Sequence, residues 1–521
     1  MIIKLAVIIV FFAVLIAVGM YSRRHTKSVE GFVLGGRSIN PWMAALAYGT
    51  AYFSAVVFVG YAGQFGWRFG ISSIWIGLGN AFIGCMLAWI IFGKRTRIMT
   101  HHLDSSTMPE FFASRYDSQF IKILSAIIIF IFMIPYSASL FNGLGRIFAM
   151  SFDIDFRVCI ILMAVITGIY VIGGGFIATA INDVIQGTIT LIGVAILIGV
   201  ILNTNGGVVG ALDSLARVPA DANMADTPGV FSSILGPDPI NLLGVVILTS
   251  LGTWGLPQMV HKFYVIKSEK AFMPGVVIST IFAIIVSGGC YVIGSFGRLS
   301  SDIVEYRADG SVVYDSIIPS MMQGFPDILI ALVLVLVLAA SISTLASTVM
   351  ASSTTLTLNL IKGHIVKNMS EKAQVLNMRM LIAVFVVISA AIAVLQYTYG
   401  FAFIAQLMSV SWGGLSGAFL APFLYGLYWK RTTKIAALSN MLLGSMFMLV
   451  NFLANIGVFP ISMFPPILQS SINAGAFIML FSLIFVPVVS LLTPKLDRLH
   501  VDDCFSCIEG NSEANDSEEN A

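Results

Sequence analysis

No charged residue falls between Asp327 and Lys362. At 1.5 Å per residue, a helix of that length outruns the ~30 Å hydrocarbon core of a bilayer. A water-soluble helix of that length carries charged residues toward solvent, and this stretch has none. Comparable apolar runs follow one another along the 521 residues, of which 10% are charged and 58% hydrophobic, with a mean hydropathy of +0.93. Soluble domains carry about 25% charge. In hydrocarbon every backbone polar group needs an internal partner, so the runs are read as helices. The short alternating segments of a β-barrel are absent. The fold class is an all-α polytopic membrane protein in a lipid bilayer.

Thirteen spans are expected, at roughly 2–21, 42–66, 70–93, 120–150, 155–174, 178–203, 240–265, 271–297, 326–360, 377–398, 401–428, 434–457 and 466–493. The first is too long for a signal-peptide core and ends in "YSRRHTK" without a small-residue cleavage site, so it is read as a retained helix. With the N-terminus outside, twenty of the 28 Lys and Arg fall in inner loops, among them Arg23, Arg24, Lys27, Lys262, Lys267, Lys270 and Arg115. Five fall outside: Arg68, Arg157, Arg217, Arg298 and Arg307. That bias sets an N-out, C-in orientation in the plasma membrane, and it explains the basic residues without any nucleic acid.

Cys85, Cys159 and Cys290 sit in spans and read as small packing residues. "CFSC" (Cys504, Cys507) lies in the tail, with no second pair to complete a zinc site. The end, "EGNSEANDSEENA", is acidic and low in complexity, and is expected to be disordered.

The spans fall into two sets of five. The first helix of each set is interrupted near its middle, around "AYGTAYFSAVVFVGYAG" (47–63) and "SLGTWGLP" (250–257). Matched Gly- or Pro-bearing breaks in two five-helix halves are the mark of an inverted repeat, because an odd count brings the second half in from the opposite face. Gly and Pro are also common in single membrane helices, so it is their matched positions that mark the repeat. The organisation expected is an extra helix and loop (1–41), a first repeat (42–203), an outer loop (204–239), a second repeat (240–428), two C-terminal helices (429–493) and an acidic tail (494–521). Unwound backbone at mid-membrane has to line a cavity.

Within the charge-free run, Ala340, Ser343, Thr344 and Ser347 recur at i, i+3, i+4 and i+7, one face of a helix. Hydroxyls on membrane helices often bond their own i−4 carbonyl or glue neighbouring helices. A stripe of them beside freed carbonyls at 49–53 also suits a dehydrated hard cation, which takes several oxygens. Asp183, in "ATAINDVIQG", is the carboxylate that falls well inside a span, where an ionised group needs a cation or hydrogen-bonding partner. Arg146 is read as snorkelling outward from its helix end.

"LGGRSINPW" leading into "GTAYFSAVVFVG", then "GGGFIATAINDVIQG", "GLPQMVHKF", "LAASISTLAS" and "LYGLYWKRTTKIAALSNMLLG" resemble, in order, the motifs of the sodium:solute symporters. The resemblance implies a leucine-transporter-type 5+5 inverted repeat. It also implies a sodium ion held by the carbonyls of Thr50, Phe53 and Ala340 and the hydroxyls of Ser343 and Thr344. Some members have a second sodium site, matched here by Asp183, Ser343 and Ser347. One of its hydroxyl positions is Ala346, a departure that counts against a second ion.

For the cargo, the first break and "GLP" look most like sodium/pantothenate symporters, while Tyr136 stands where proline symporters have a substrate-contacting tyrosine. Thr249 and Thr253 replace an aromatic pair of the proline carriers, and Tyr52 replaces an aspartate. The resemblance therefore implies a sodium-coupled symporter for a small organic solute: an amino acid such as proline, pantothenate or another monocarboxylate. Tyr52, Ser54, Val57, Tyr136, Trp254 and Pro257 are its candidate contacts. No nucleophile–base constellation suggests an enzyme. A channel would need a continuous polar lining, and a sensor a folded domain after Pro494.

Overall fold

The computed structural model describes residues 2–22, 28–37, 39–221, 228–267, 272–400 and 402–519, without the side chains of Pro41, Tyr52 and 510–519. Arg23, Arg24, Lys27 and Lys270 lie outside the described residues. Everything described is helix or connection, with three isolated β-bridges. Twelve helical segments are long and apolar enough to cross a membrane.

The count differs from thirteen because the spans expected at 42–66 and 70–93 form one segment, Trp42–His102, of 61 residues. Gly70 divides it with φ 63° and ψ −141°, a conformation open to glycine and closed to most side chains. Gly175, at φ 59° and ψ −169°, similarly separates Phe156–Gly173 from Gly175–Thr204. The Asn182 amide reaches back 2.7 Å to the Tyr170 hydroxyl, tying the two helices together across that bend.

Other span ends lie close to those read from the apolar runs: Gln119–Phe152, Pro239–Tyr264, Phe272–Ser300, Asp327–Lys362, Ile404–Tyr428 and Lys434–Asn455. Helix Ile404–Tyr428 is central, with 94% of its apolar window buried against 22% for Ile2–Ser22. The latter presents Ile2, Ile9, Val10 and Met20 on the outside, as a lipid-facing helix should.

Two sequence expectations are corrected. The acidic tail is helical: helix Arg498–Glu519 docks through buried Val501, Cys504 and Phe505, and Lys430 pairs with Asp502 at 3.0 Å and Glu509 at 2.7 Å. Once a turn is nucleated by docking, each further residue adds a backbone bond at little cost, which carries the helix into the polar end. The basic residues are more than orientation signals. Arg115 is fully buried and donates to the carbonyls of Gly426 (2.9 Å) and Trp429 (3.0 Å), capping the central helix, and burial pulls its pKa down. Lys262, expected at an inner loop, is 1% exposed within helix Pro257–Tyr264.

Candidate ion and solute site

Helix Pro41–Tyr52 stops at Phe53, whose φ −106° and ψ 133° are extended, and helical structure resumes at Ala55 as a wide π-turn run, Val56–Ala62. The interruption frees backbone groups in a fully buried place, and each must find a partner. Helix Asp327–Leu356 supplies them. Ser341 Oγ accepts from the Ala55 N–H at 3.0 Å, and the Thr344 hydroxyl donates to the Phe53 carbonyl at 3.2 Å. One residue earlier on the same face, the Ser343 hydroxyl lies 3.5 Å from Thr50 Oγ1 and 2.5 Å from Asp183 Oδ1. Ser341, Ser343 and Thr344 are stitched to the break 286–293 residues away in sequence, rather than merely to their own helix.

Thr344 Oγ1 is also 3.0 Å from the Ala340 carbonyl. Oxygens at about 2.4 Å around a hard cation stand roughly 3.4 Å apart at right angles, so the 3.2 Å and 3.0 Å from Thr344 Oγ1 to the Phe53 and Ala340 carbonyls suit part of such a shell. A bound cation would take the oxygen lone pairs, and the Thr344 O–H would rotate off Phe53. Among the described residues there is no cluster of three or more His, Cys, Asp or Glu.

Asp183 is 1% exposed. Its second oxygen meets Lys262 Nζ at 2.9 Å, and the lysine is equally buried. Ser347, expected beside Asp183, donates to the carbonyls of Ser343 (2.7 Å) and Thr344 (3.3 Å) of its own helix. Lys262, Ser347, Pro257 and Thr179 line a cavity of about 40 Å³, room for two or three waters, which continues toward Val33 and Thr107.

The proposed solute contacts are dispersed. Ser54 is buried at the break, and its hydroxyl has no partner among the described residues; Val57 is buried three residues on. Tyr136 is buried edge-on against Trp412, ring centroids 6.0 Å apart. Trp254 is engaged elsewhere: its indole donates to the Ile83 carbonyl at 3.1 Å and meets Phe92 edge-on. The Tyr52 side chain lies outside the described residues. At the second break, Thr253–Leu256, Ser416 donates to the Gly252 carbonyl, which also takes the Gly255 N–H at 3.3 Å, and Pro257 opens the next helix where its missing N–H costs nothing.

The sequence profile of the sodium:solute symporter family matches residues 32–444. The chain belongs to that family. Among similar proteins are the osmoregulated proline transporter of Bacillus subtilis (strain 168), 28% identical over 449 residues covering 85% of this chain and 87% of that one, and the sodium/proline symporter of Staphylococcus aureus (strain JH9), 28% identical over 454 residues covering 85% and 84%. A solved Na+-coupled sialic acid symporter, in a substrate-bound outward-open state, superposes with a TM-score of 0.72 at 17% identity, covering 95% of this chain and 99% of that one. That likeness shows a shared fold. The family and these relatives are transporters, so this symporter-family chain is a multi-pass membrane carrier and not an enzyme.

Sequence reasoning missed Lys262 because "MVHKF" reads as the solvated end of a span. The signal available was charge accounting. Asp183 needed a cation, and a basic residue within the same broken helix as "GLP" was in reach.

Proposed function

We propose that this chain is a sodium-coupled symporter importing a small zwitterionic amino acid, proline or a close analogue, across the plasma membrane by alternating access. Counting Trp42–His102 as two crossings gives thirteen spans, and spans 42–203 and 240–428 are then the two halves of a leucine-transporter-type inverted repeat. The observation that carries the reading is Thr344 bonded to the Phe53 carbonyl at a mid-helix break. It joins the two elements whose relative movement would open or close the carrier. Sodium is taken by the carbonyls of Thr50, Phe53 and Ala340 with the hydroxyls of Ser343 and Thr344. Binding there favours the arrangement in which both helices face one another, and a ligand shifts such an equilibrium only by its differential affinity.

The amino acid is preferred over pantothenate because of the proline transporters among the relatives. The orphan Ser54 hydroxyl beside the resuming helix offers a donor and a favourable dipole end for a carboxylate. Tyr136 and Val57 supply apolar contact. The inward sodium gradient and ~2.3 kcal/mol per charge per 100 mV of potential drive uptake.

Purified protein in proteoliposomes tests this. An inward sodium gradient should accumulate labelled proline, and a sodium ionophore should abolish the accumulation. Uptake of pantothenate or a monocarboxylate, but not proline, would refute the cargo. Uptake indifferent to sodium would refute the coupling. Orientation is tested separately in intact cells: cysteines placed beside Arg217 and Arg307 should label from outside, and cysteines beside Lys267 and Lys430 should not.

A further inference from the structure

Lys262 and Asp183 come from different helices, 79 residues apart, and both are 1% exposed with Nζ and Oδ2 2.9 Å apart. The other carboxylate oxygen takes the Ser343 hydroxyl at 2.5 Å, and Ser343 in turn reaches Thr50 at 3.5 Å. The lysine is thus linked, through one carboxylate, to a hydroxyl of the proposed sodium shell. Its ammonium also lies 5.4 Å from the centre of the Phe176 ring, whose face favours a cation.

A buried carboxylate accommodates about one positive charge. A second cation delivered to Asp183, 1% exposed, would either leave an uncompensated buried charge or have to displace the lysine, and both are unfavourable. Ser347, expected as the other oxygen of such a site, bonds its own helix, so it does not offset the loss. The cavity that Lys262 and Ser347 line gives the ammonium somewhere to swing if it is displaced.

We propose that Lys262 is a tethered counter-ion filling the place of a second cation at Asp183, and so restricts this carrier to one sodium per solute. The proposal rests on the reading of the chain as a sodium-coupled symporter. Lys262 is a positioning residue: it acts through Asp183 and Ser343 on the ion that is carried. Removing its charge should turn Asp183 into a second sodium site, with Ser343 shared between the two ions.

The test is the ratio of radioactive sodium to labelled proline taken up by proteoliposomes at fixed potential. Wild type should move one sodium per proline. Lys262→Met, similar in length and uncharged, should move two, with a steeper sodium dependence. Lys262→Met combined with Asp183→Asn should return to one. A ratio of two in the wild-type protein overturns the proposal without any variant, which covers the case in which Lys262→Met fails to fold. A ratio of one in transport-competent Lys262→Met overturns it too. Absence of sodium-driven uptake in wild type is a different result, because it removes the symporter reading itself.

Discussion

The Thr344 hydroxyl stands 3.2 Å from the Phe53 carbonyl, across the gap where the first broken helix changes direction. Neither residue is charged, and Thr344 has an ordinary partner on its own helix in the Ala340 carbonyl, whereas the Phe53 N–H turns back to Thr50 and leaves the Phe53 carbonyl to Thr344. What the cross-helix contact adds is a dependence of one segment's conformation on the other's position. A cation inserted among these oxygens would strengthen that dependence, which is the physical content of ion coupling.

Ser341→Ala tests the stitching independently of the ion. The Ala55 N–H is buried and accepted by Ser341 Oγ at 3.0 Å, so the variant strands a donor at a cost of about 1–3 kcal/mol. The melting temperature of the purified protein should fall, and Ser341→Thr, which keeps the oxygen, should recover most of the loss. An unchanged melting temperature in Ser341→Ala would mean that the break is satisfied in another way.

Asp315 predicts a pH dependence. It sits buried on the turn Tyr314–Ser316, outside the spans, where desolvation raises its pKa from 3.8 to about 6. Arg146, the Ile404 N–H and Arg307 oppose that rise. Glu305, 3.8 Å from Arg146, and Asp153 share the same hollow. Because the folded value lies above the unfolded one, the stabilisation from protonating Asp315 is full below about pH 4 and is lost as pH rises through about 6, a swing of about 3 kcal/mol. Asp315→Asn should therefore melt at a higher temperature than wild type at pH 7.5, and the two should converge near pH 4. A difference that stays constant with pH would contradict this.

Ser54 and Tyr136 separate solute contact from packing. If the orphan Ser54 hydroxyl meets the solute carboxylate, Ser54→Ala should raise the apparent KM for proline about tenfold at saturating sodium while leaving the melting temperature nearly unchanged. Tyr136→Ala should raise KM as well, but with a loss of stability, since the ring packs edge-on against Trp412. If Tyr136→Ala loses stability without any change in KM, the tyrosine is packing alone.

Much of this was legible in the residues, for a physical reason. Polar atoms in a long apolar run stand out, so Asp183, Ser343 and Thr344 could be singled out by their surroundings, and helix periodicity put the hydroxyls on one face, whereas Thr50 and Phe53 came only from the resemblance to the family. Span ends followed from the length of the apolar runs. Contacts that depend on the direction of a long side chain did not follow: Lys262 turns inward from a position that reads as solvated, and Arg115 reaches carbonyls more than 300 residues away. The helical tail was hidden because docking by Val501 and Phe505, rather than the composition of the acidic end, decides its conformation.

The sodium dependence of proline uptake in Thr344→Ala is the most direct test of the central claim, that a sodium ion is dehydrated between this helix and the first break. Alanine keeps the helix and removes one ligand oxygen. In Thr344→Ala half-saturating sodium should rise at least about tenfold, proline affinity should fall with it at low sodium and recover at high sodium, and Thr344→Ser should stay near wild type. A well-expressed Thr344→Ala protein with the wild-type sodium dependence would contradict the claim.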